Sequence, residues 1–347
     1  CSSDLFNMKK LLTFVSAITA GAIGTAAADV SVSGKSTFYY ASGSGDANSA
    51  TQEDSMSVVG GTINFAMSTE TTNGITVSSS ASLEALTTDT TTGAARTNAI
   101  GGLSSIAFGM DGMTITLGDI NNAGSGTGEG GDVTTFASVN AARVTTASDA
   151  AAANSTMDGI ADGTGINVST SIGAASVDAT FVSKVGSGRN SLLTTAKTTG
   201  DSSGYAINVG FDMAGASVNV AAGGNQAKET ASKNGKATAI EVAYPVSDAL
   251  NVTVGAHSGT VGDDDEDGMF VTAAYTMDAD TTLSLGYSKG DNDDGTTLDK
   301  ATVTSVNVSR SLGGGVSVFA EYASNSYDAG AAGTSGTSFA VGTSVSF

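Results

Sequence analysis

The 347-residue chain carries 14 Lys+Arg against 34 Asp+Glu, a formal net charge of −20, with 46 Gly, one Pro, one Cys, one His and no Trp. Because no excess of basic residues could neutralise phosphates, this charge argues against nucleic acid as a partner and favours cations. Charged residues make up 14 % of the chain, below the roughly 25 % of soluble domains, and bulky apolar residues are scarce. This composition favours β-strands without a large hydrophobic core over a fold of packed layers.

The first 28 residues are typical of an export leader. Residues 8–28 contain two lysines directly after Met8, an apolar stretch over 11–24, and an A-x-A cleavage motif that ends at Ala28. They are predicted to form a cleaved signal peptide, since the apolar stretch is too short for a good membrane anchor. Residues 1–7 are interpreted as read-through from an imprecise gene start. Cleavage would remove Cys1, and with it disulfide and thiol chemistry.

Residues 29–347 form one predicted domain of alternating strands without a change of composition. Periodicity of two predicts about sixteen strands in chain order. They are expected near 30–42, 56–70, 74–87, 96–110, 112–120, 164–173, 175–186, 203–213, 215–223, 237–245, 249–258, 268–277, 281–289, 300–311, 315–324 and 337–347.

Within the strands, apolar and polar residues occupy opposite faces. One face of the strand at 203–213 holds only bulky apolar residues, and the other face is polar or small. The apolar set is Tyr205, Ile207, Val209, Phe211 and Met213. Acidic residues fall on the polar faces of four strands: Glu84, Asp178, Glu241 and Glu321. We therefore expect one wet and one dry surface along the whole sheet.

Short and long links alternate along the chain. Tight links such as MDG (110–112) and MAGA (213–216) separate longer ones such as the acidic GTVGDDDEDG (259–268). Short turns at one end and long loops at the other are typical of an outer-membrane up-and-down antiparallel β-barrel. A ring of sixteen strands encloses an aqueous lumen. Closure pairs the last strand with the first near 30–40 and points Phe347 outward at the membrane boundary, so lipid is the partner of the apolar face.

The sequence resembles the Gram-negative general porins, especially the alphaproteobacterial kind. The resemblance rests on the leader followed by a strand, and on GGTINFAMSTETTNGITVSSSASLEA, GMTITLGDINNAGSG and LGGGVSVFAEYAS before a terminal Phe. It implies an all-β transmembrane barrel of about sixteen strands, assembled as a homotrimer in the outer membrane of a Gram-negative bacterium. It also implies passive diffusion of small hydrophilic solutes, with a third long loop folded into the lumen.

The matching long loop covers residues 121–162. The resemblance implies that this segment constricts the pore with acidic residues: Glu129, Asp132, Asp149, Asp158 and Asp162. Further predicted pore-lining residues are the four acids on the polar faces together with Lys35, Arg96, Arg143 and Lys184. Family members face the loop acids with a cluster of basic wall residues, and this chain has few candidates for that cluster. Removal of residues 1–28 leaves 12 of the 14 basic and 33 of the 34 acidic residues, so mild cation selectivity is expected.

Other motifs carry weaker predictions. Asp263-x-Asp265-x-Asp267-Gly268 copies the opening of a calcium loop, but its twelfth position is Ala274 instead of Glu, so at most loosely bound Ca²⁺ is predicted and no other cofactor. His257 lacks the Cys or His neighbours of a metal site. No G-x-S-x-G motif is present, and an enzyme is not predicted. The alternative function is a secreted structural or adhesive β-solenoid, although no fixed repeat is found.

Overall fold

A computed structural model gives the fold of the chain. It describes residues 29–45, 55–85, 99–101, 105–121, 123–125, 127–128, 160–161, 163–185, 202–227, 234–261, 264–293, 298–329 and 334–347. Residues 1–28, predicted to be read-through and leader, lie outside the described residues. Within these ranges, no helix is long and apolar enough to cross a membrane.

The described residues form one antiparallel sheet of seventeen strands closed into a ring. The strands are β1 (Asp29–Gly45), β2 (Ser55–Glu70), β3 (Thr76–Ala85), β4 (Ala99–Gly101), β5 (Ser105–Met110), β6 (Met113–Ile120), β7 (Gly163–Ile172), β8 (Ala175–Val185), β9 (Ser202–Met213), β10 (Ala216–Ala227), β11 (Gly235–Pro245), β12 (Leu250–Val261), β13 (Asp264–Thr276), β14 (Thr281–Asp293), β15 (Leu298–Gly313), β16 (Val316–Ala329) and β17 (Thr334–Ser346). Apart from β4 and β5, which do not pair with each other, each strand pairs with its neighbours in sequence, and β17 pairs with β1. Because β4 and β5 both pair with β3, the ring has sixteen positions, which confirms the predicted all-β barrel.

The two faces of the ring differ in chemistry as the alternation predicts. Bulky apolar residues project outward with large exposed fractions, such as Tyr205 at 61 % and Ile207 at 42 %, whereas the intervening Ala206 is 2 % exposed on the inside. Closure pairs the first strand with the last, which a bilayer requires because unpaired backbone groups there cost several kcal/mol. The apolar outer face therefore suits lipid.

Short turns lie at one end of the ring, where backbone conformations fit tight hairpins. The turn between β5 and β6 places Asp111 at φ 37° and Gly112 at φ 77°, and the turn between β9 and β10 places Ala214 at φ 54° and Gly215 at φ 84°. Positive φ at both central residues is the hairpin geometry that matches strand twist. The long links join the strands at the opposite end.

The ring closes through the last residue of the chain. The backbone N–H of Phe347 donates to the Gly34 carbonyl, and the Gly34 N–H donates to the Phe347 carbonyl, each at 3.0 Å. A Cβ on Gly34 would lie 2.5 Å from Cζ of the Phe347 ring, so glycine makes room for the aromatic ring outside the seam. Phe347 is 74 % exposed, in agreement with its predicted outward position.

The strand expected at 96–110 corresponds to β4 and β5, with residues 102–104 outside the described residues, and Ser79 Oγ donates to the Ser105 carbonyl at 2.5 Å. One predicted link was wrong. The acidic segment 259–268, expected to be a long loop, belongs to β12 and β13 except for residues 262–263. Aspartate disfavours strands, but pairing with β14 from Asp265 onward holds this segment extended.

Candidate functional site

A hydrogen-bonded polar layer covers the inner wall of β7 and β8. Asn167 Nδ2 donates to Asp178 Oδ1 at 2.8 Å and to Thr180 Oγ1 at 2.9 Å, and Ser169 Oγ donates to Asp178 Oδ1 at 2.9 Å. These side chains meet because β7 and β8 pair with Ser169 opposite Asp178 and Asn167 opposite Thr180. The wall thus holds a carboxylate at the lumen surface by two hydrogen bonds.

A cavity of about 670 Å³ opens in front of this layer. Thr116, Asn167, Asp178 and Asn208 contribute to its lining on the strand side, and Ser125 contributes from the link after β6. The Oδ1 atom of Asn208 is buried and accepts no hydrogen bond from any residue that the structure describes. The space is polar and could hold water or a hydrated cation.

The link after β6 begins by crossing the inner wall. We call its described residues 123–125 and 127–128 the loop-entry segment. The Ala123 N–H donates to Thr180 Oγ1 on β8 at 2.9 Å, and the Gly128 carbonyl lies 3.0 Å from His257 Nδ1 on β12. The loop-entry segment therefore spans the wall from β8 to β12.

Small residues on the wall allow this close approach. Inward alanines on β9, β10 and β11 form one buried cluster with Val182 and with three residues of the link. A Cβ on Gly223 of β10 would lie 2.9 Å from Cγ2 of Ile160, so glycine is required beneath the returning part of the link. The remaining members of the cluster are Ala123, Ala161, Ala206, Ala221, Ala237 and Ala239.

Besides Asp178, three predicted pore-lining residues have inward positions on their strands. Lys35 shares its face of β1 with the buried Tyr39 and is exposed. Glu241 lies opposite Gly255 and beside the inner alanines of β11. Glu321 is also inward, but it is 1 % exposed and accepts a hydrogen bond from Asn307 Nδ2 at 2.9 Å. Its carboxylate is thus covered by the wall and not open to the lumen.

Other predicted site residues lie outside the described parts of the chain. This applies to all five acids of the predicted constriction and to two basic candidates: Glu129, Asp132, Asp149, Asp158, Asp162, Arg96 and Arg143. The backbones of Glu84 and Lys184 belong to β3 and β8, but their side chains are not among those described.

The calcium-like motif has an extended backbone where the structure describes it. Asp265 and Asp267 lie in β13 on the face of the outward Met269, and Asp263 lies outside the described residues. A calcium loop coils around its ion, with a sharp turn at its glycine. The EF-hand conformation is thus absent from the described residues 264–268, and looser binding of a divalent ion stays a prediction.

His257 is the wall residue that sequence reasoning missed. It was set aside because no metal-ligand spacing surrounds it, yet it contacts a backbone carbonyl 129 residues away. The one available signal for this contact was that His257 shares the inner face of β12 with small residues, Gly255 and Gly259.

Comparison with known proteins identifies the architecture. The Gram-negative porin family matches residues 13–330. No curated protein sequence gives a significant match.

Among solved structures, OmpT of Vibrio cholerae, an outer membrane protein in trimer form, is similar with TM-score 0.59 and 12 % identity, covering 92 % of this chain and 99 % of that one. An anion-selective porin from Comamonas acidovorans has TM-score 0.61 and 14 % identity, over 92 % and 100 % of the two chains. A mutant of the Rh. blastica porin has TM-score 0.57 and 16 % identity with the same coverage. At these identities the similarity shows the fold.

Proposed function

The chain belongs to the Gram-negative porin family, and from that premise we propose a specific mode of transport for it. As a member of this family it is an outer-membrane channel and not an enzyme. The proposal is that the channel passes ions and small hydrophilic solutes by passive diffusion, with mild cation preference. The protein works as a homotrimer in outer-membrane lipid. The leader at 8–28 directs its export and is then cleaved.

Cation preference is supported by the charge on the lumen wall. Asp178 faces the cavity with two hydrogen bonds holding its carboxylate, one from Asn167 and one from Ser169, and no basic side chain is part of that layer. Fixed carboxylates in a narrow aqueous space attract cations and repel anions. The similar Comamonas porin is described as anion-selective, so the fold leaves the sign of selectivity to the side chains.

The segment 121–162 is proposed to narrow the channel. Its described ends contact the inner wall at Thr180, His257 and Gly223. A link of this length in a compact protein normally has a function. Placement of its acidic residues in the aperture would add negative charge where the solute path is narrowest.

Reversal potential in a planar bilayer across a KCl gradient tests the proposal. We expect cation preference that is strongest near about 0.01 M salt, where the Debye length is about 30 Å, and that weakens near about 1 M, where it is about 3 Å. Asp178→Asn should reduce the preference because it removes a charge from the cavity wall. The double variant Glu129→Gln with Asp132→Asn should reduce it further.

Asp248→Asn serves as the matched control, because this exposed residue lies in the turn between β11 and β12 and is not among the residues that line the cavity. It should leave the reversal potential nearly unchanged. Anion preference at low salt would overturn the charge argument. An unchanged potential in the double loop variant would place that part of the link outside the aperture.

A further inference from the structure

His257 is a buried polar side chain in a position that general channel function does not require. It points inward from β12, is 5 % exposed, and is the single histidine of the chain. Its Nδ1 atom lies 3.0 Å from the carbonyl oxygen of Gly128 in the loop-entry segment. Because a carbonyl only accepts hydrogen bonds, Nδ1 carries the proton and donates it.

The other ring nitrogen, Nε2, does not take part in the hydrogen bond to Gly128. Nε2 of His257 is buried and has no hydrogen-bond partner within the part of the chain that the structure describes. A buried polar atom without a partner costs free energy. The bond from Nδ1 to Gly128 is thus the one side-chain hydrogen bond of this buried ring among the residues that the structure describes.

The surrounding backbone is shaped to the ring. Gly268 lies directly opposite His257 on β13, and a Cβ at this glycine would overlap Cε1 of the imidazole and lie 2.5 Å from Nε2. On the segment side, Gly128 has φ 72°, and a Cβ there would lie 3.0 Å from Cβ of Ala239 and overlap the Ala256 carbonyl oxygen. Glycine on both sides thus permits the ring to reach the carbonyl.

We propose that His257 is a positioning residue that clasps the far end of the loop-entry segment to the wall. The near end is held by the hydrogen bond from the Ala123 N–H to Thr180 Oγ1, and Ala123 also packs in the buried apolar cluster. The hydrogen bond from His257 holds the far end, at Gly128, against β12. This inference rests on the proposed function, since it assumes that residues 121–162 line the conducting path.

Loss of the clasp should let the segment leave the wall and enter the lumen. In single-channel recordings we expect His257→Leu to show step-like closures and a lower mean conductance than wild type. His257→Asn should behave like wild type, because its Nδ2 occupies nearly the place of Nδ1 and can donate the same bond. Ser288→Ala, a buried inward substitution on β14, is the matched control and should show no closures.

Gly268→Ala is a second, independent way to break the hydrogen bond between His257 and Gly128. Its methyl group displaces the imidazole in the wild-type background, so closures should appear. In the His257→Asn background the atoms that it overlaps are absent, so the same substitution should have little effect. Equal effects in both backgrounds would overturn the proposal, as would a steady current in His257→Leu.

Chemical modification of the histidine separates failure of this inference from failure of the proposed function. Diethyl pyrocarbonate modifies an exposed imidazole, and the chain has only one histidine. In detergent-folded barrel, we expect slow modification in wild type and at least tenfold faster modification in Gly268→Ala. Fast modification of wild type contradicts the clasp even if the channel conducts, whereas slow modification with no ion conduction supports the clasp and contradicts the transport proposal.

Discussion

Each side chain of a strand points either to the outer surface of the barrel or into the lumen, and successive residues alternate between the two. Val271 on β13 is 38 % exposed among outward apolar residues, and the adjacent Thr272 turns inward between Thr253 and Gly286. The two positions share a strand and a depth but differ in surroundings. Comparing the same substitution at the two positions therefore separates the effect of facing lipid from the effect of position along the strand.

Arginine at these two positions should have very different costs. Val271→Arg should lower the free energy of unfolding by about 2–4 kcal/mol, because a charge near the bilayer midplane loses its hydration. Thr272→Arg should change it by no more than about 0.5 kcal/mol, because the lumen is aqueous. Equilibrium urea unfolding in lipid vesicles measures both. Equal losses would show that the inward and outward faces are assigned wrongly.

Hairpins at the short-turn end are held by local hydrogen bonds. In the turn between β13 and β14, the Asp278 carboxylate accepts the Asp280 N–H at 2.9 Å and the Thr281 hydroxyl at 3.1 Å. Arg310 Nη1 on β15 donates to Thr281 Oγ1 at 2.6 Å and to Asp278 Oδ2 at 3.3 Å. An arginine of outward parity is thus accommodated because it reaches the aqueous turn.

These contacts predict a pH-dependent contribution from Asp278. The backbone N–H of Asp280 lowers the pKa of its carboxyl most, followed by the Thr281 hydroxyl, with a smaller effect from the Arg310 charge. A lowered folded-state pKa stabilises the protein above the unfolded-state pKa, and this contribution is lost as pH falls through the folded-state pKa. Asp278→Asn should therefore lower the urea midpoint slightly at pH 7 and not at about pH 2.

Asp248→Asn, at another exposed turn, controls for the replacement of an exposed aspartate by asparagine as such. The effect at Asp278 should be small because the group is fully exposed and screened by solvent. A constant difference between wild type and Asp278→Asn across the pH range would show that the carboxylate charge does not contribute to the turn.

Strand alternation was sufficient to predict the elements, because the period of two is a local signal. Tyr205, Ile207 and Met213 all project outward as expected. Extension of β12 and β13 through the acidic segment could not be predicted, since it depends on partner strands that override local propensity. The contact of His257 with Gly128 was also beyond sequence reasoning, because it joins residues 129 apart and has no periodic pattern.

At the scale of the whole molecule, the proposed homotrimer can be tested directly. Folded protein in mild detergent should migrate as an oligomer in unheated SDS gels and as a monomer after boiling. A β-dominated circular dichroism spectrum should accompany the oligomer, because strands form the described fold. A monomer in unheated samples would contradict the trimer, and a helix-dominated spectrum would contradict the barrel.

The seam between β1 and β17 also constrains how the barrel can form. Thr37 Oγ1 donates to Ser344 Oγ at 3.2 Å across a sequence separation of 307 residues. The ring cannot close until nearly the entire chain has been made, and the chain entropy lost in joining such distant ends opposes that step. Non-local pairing of this kind slows folding. Closure of the seam is therefore expected to be a late kinetic step, and a chain lacking either seam strand would stall with two unpaired edges that are prone to aggregate.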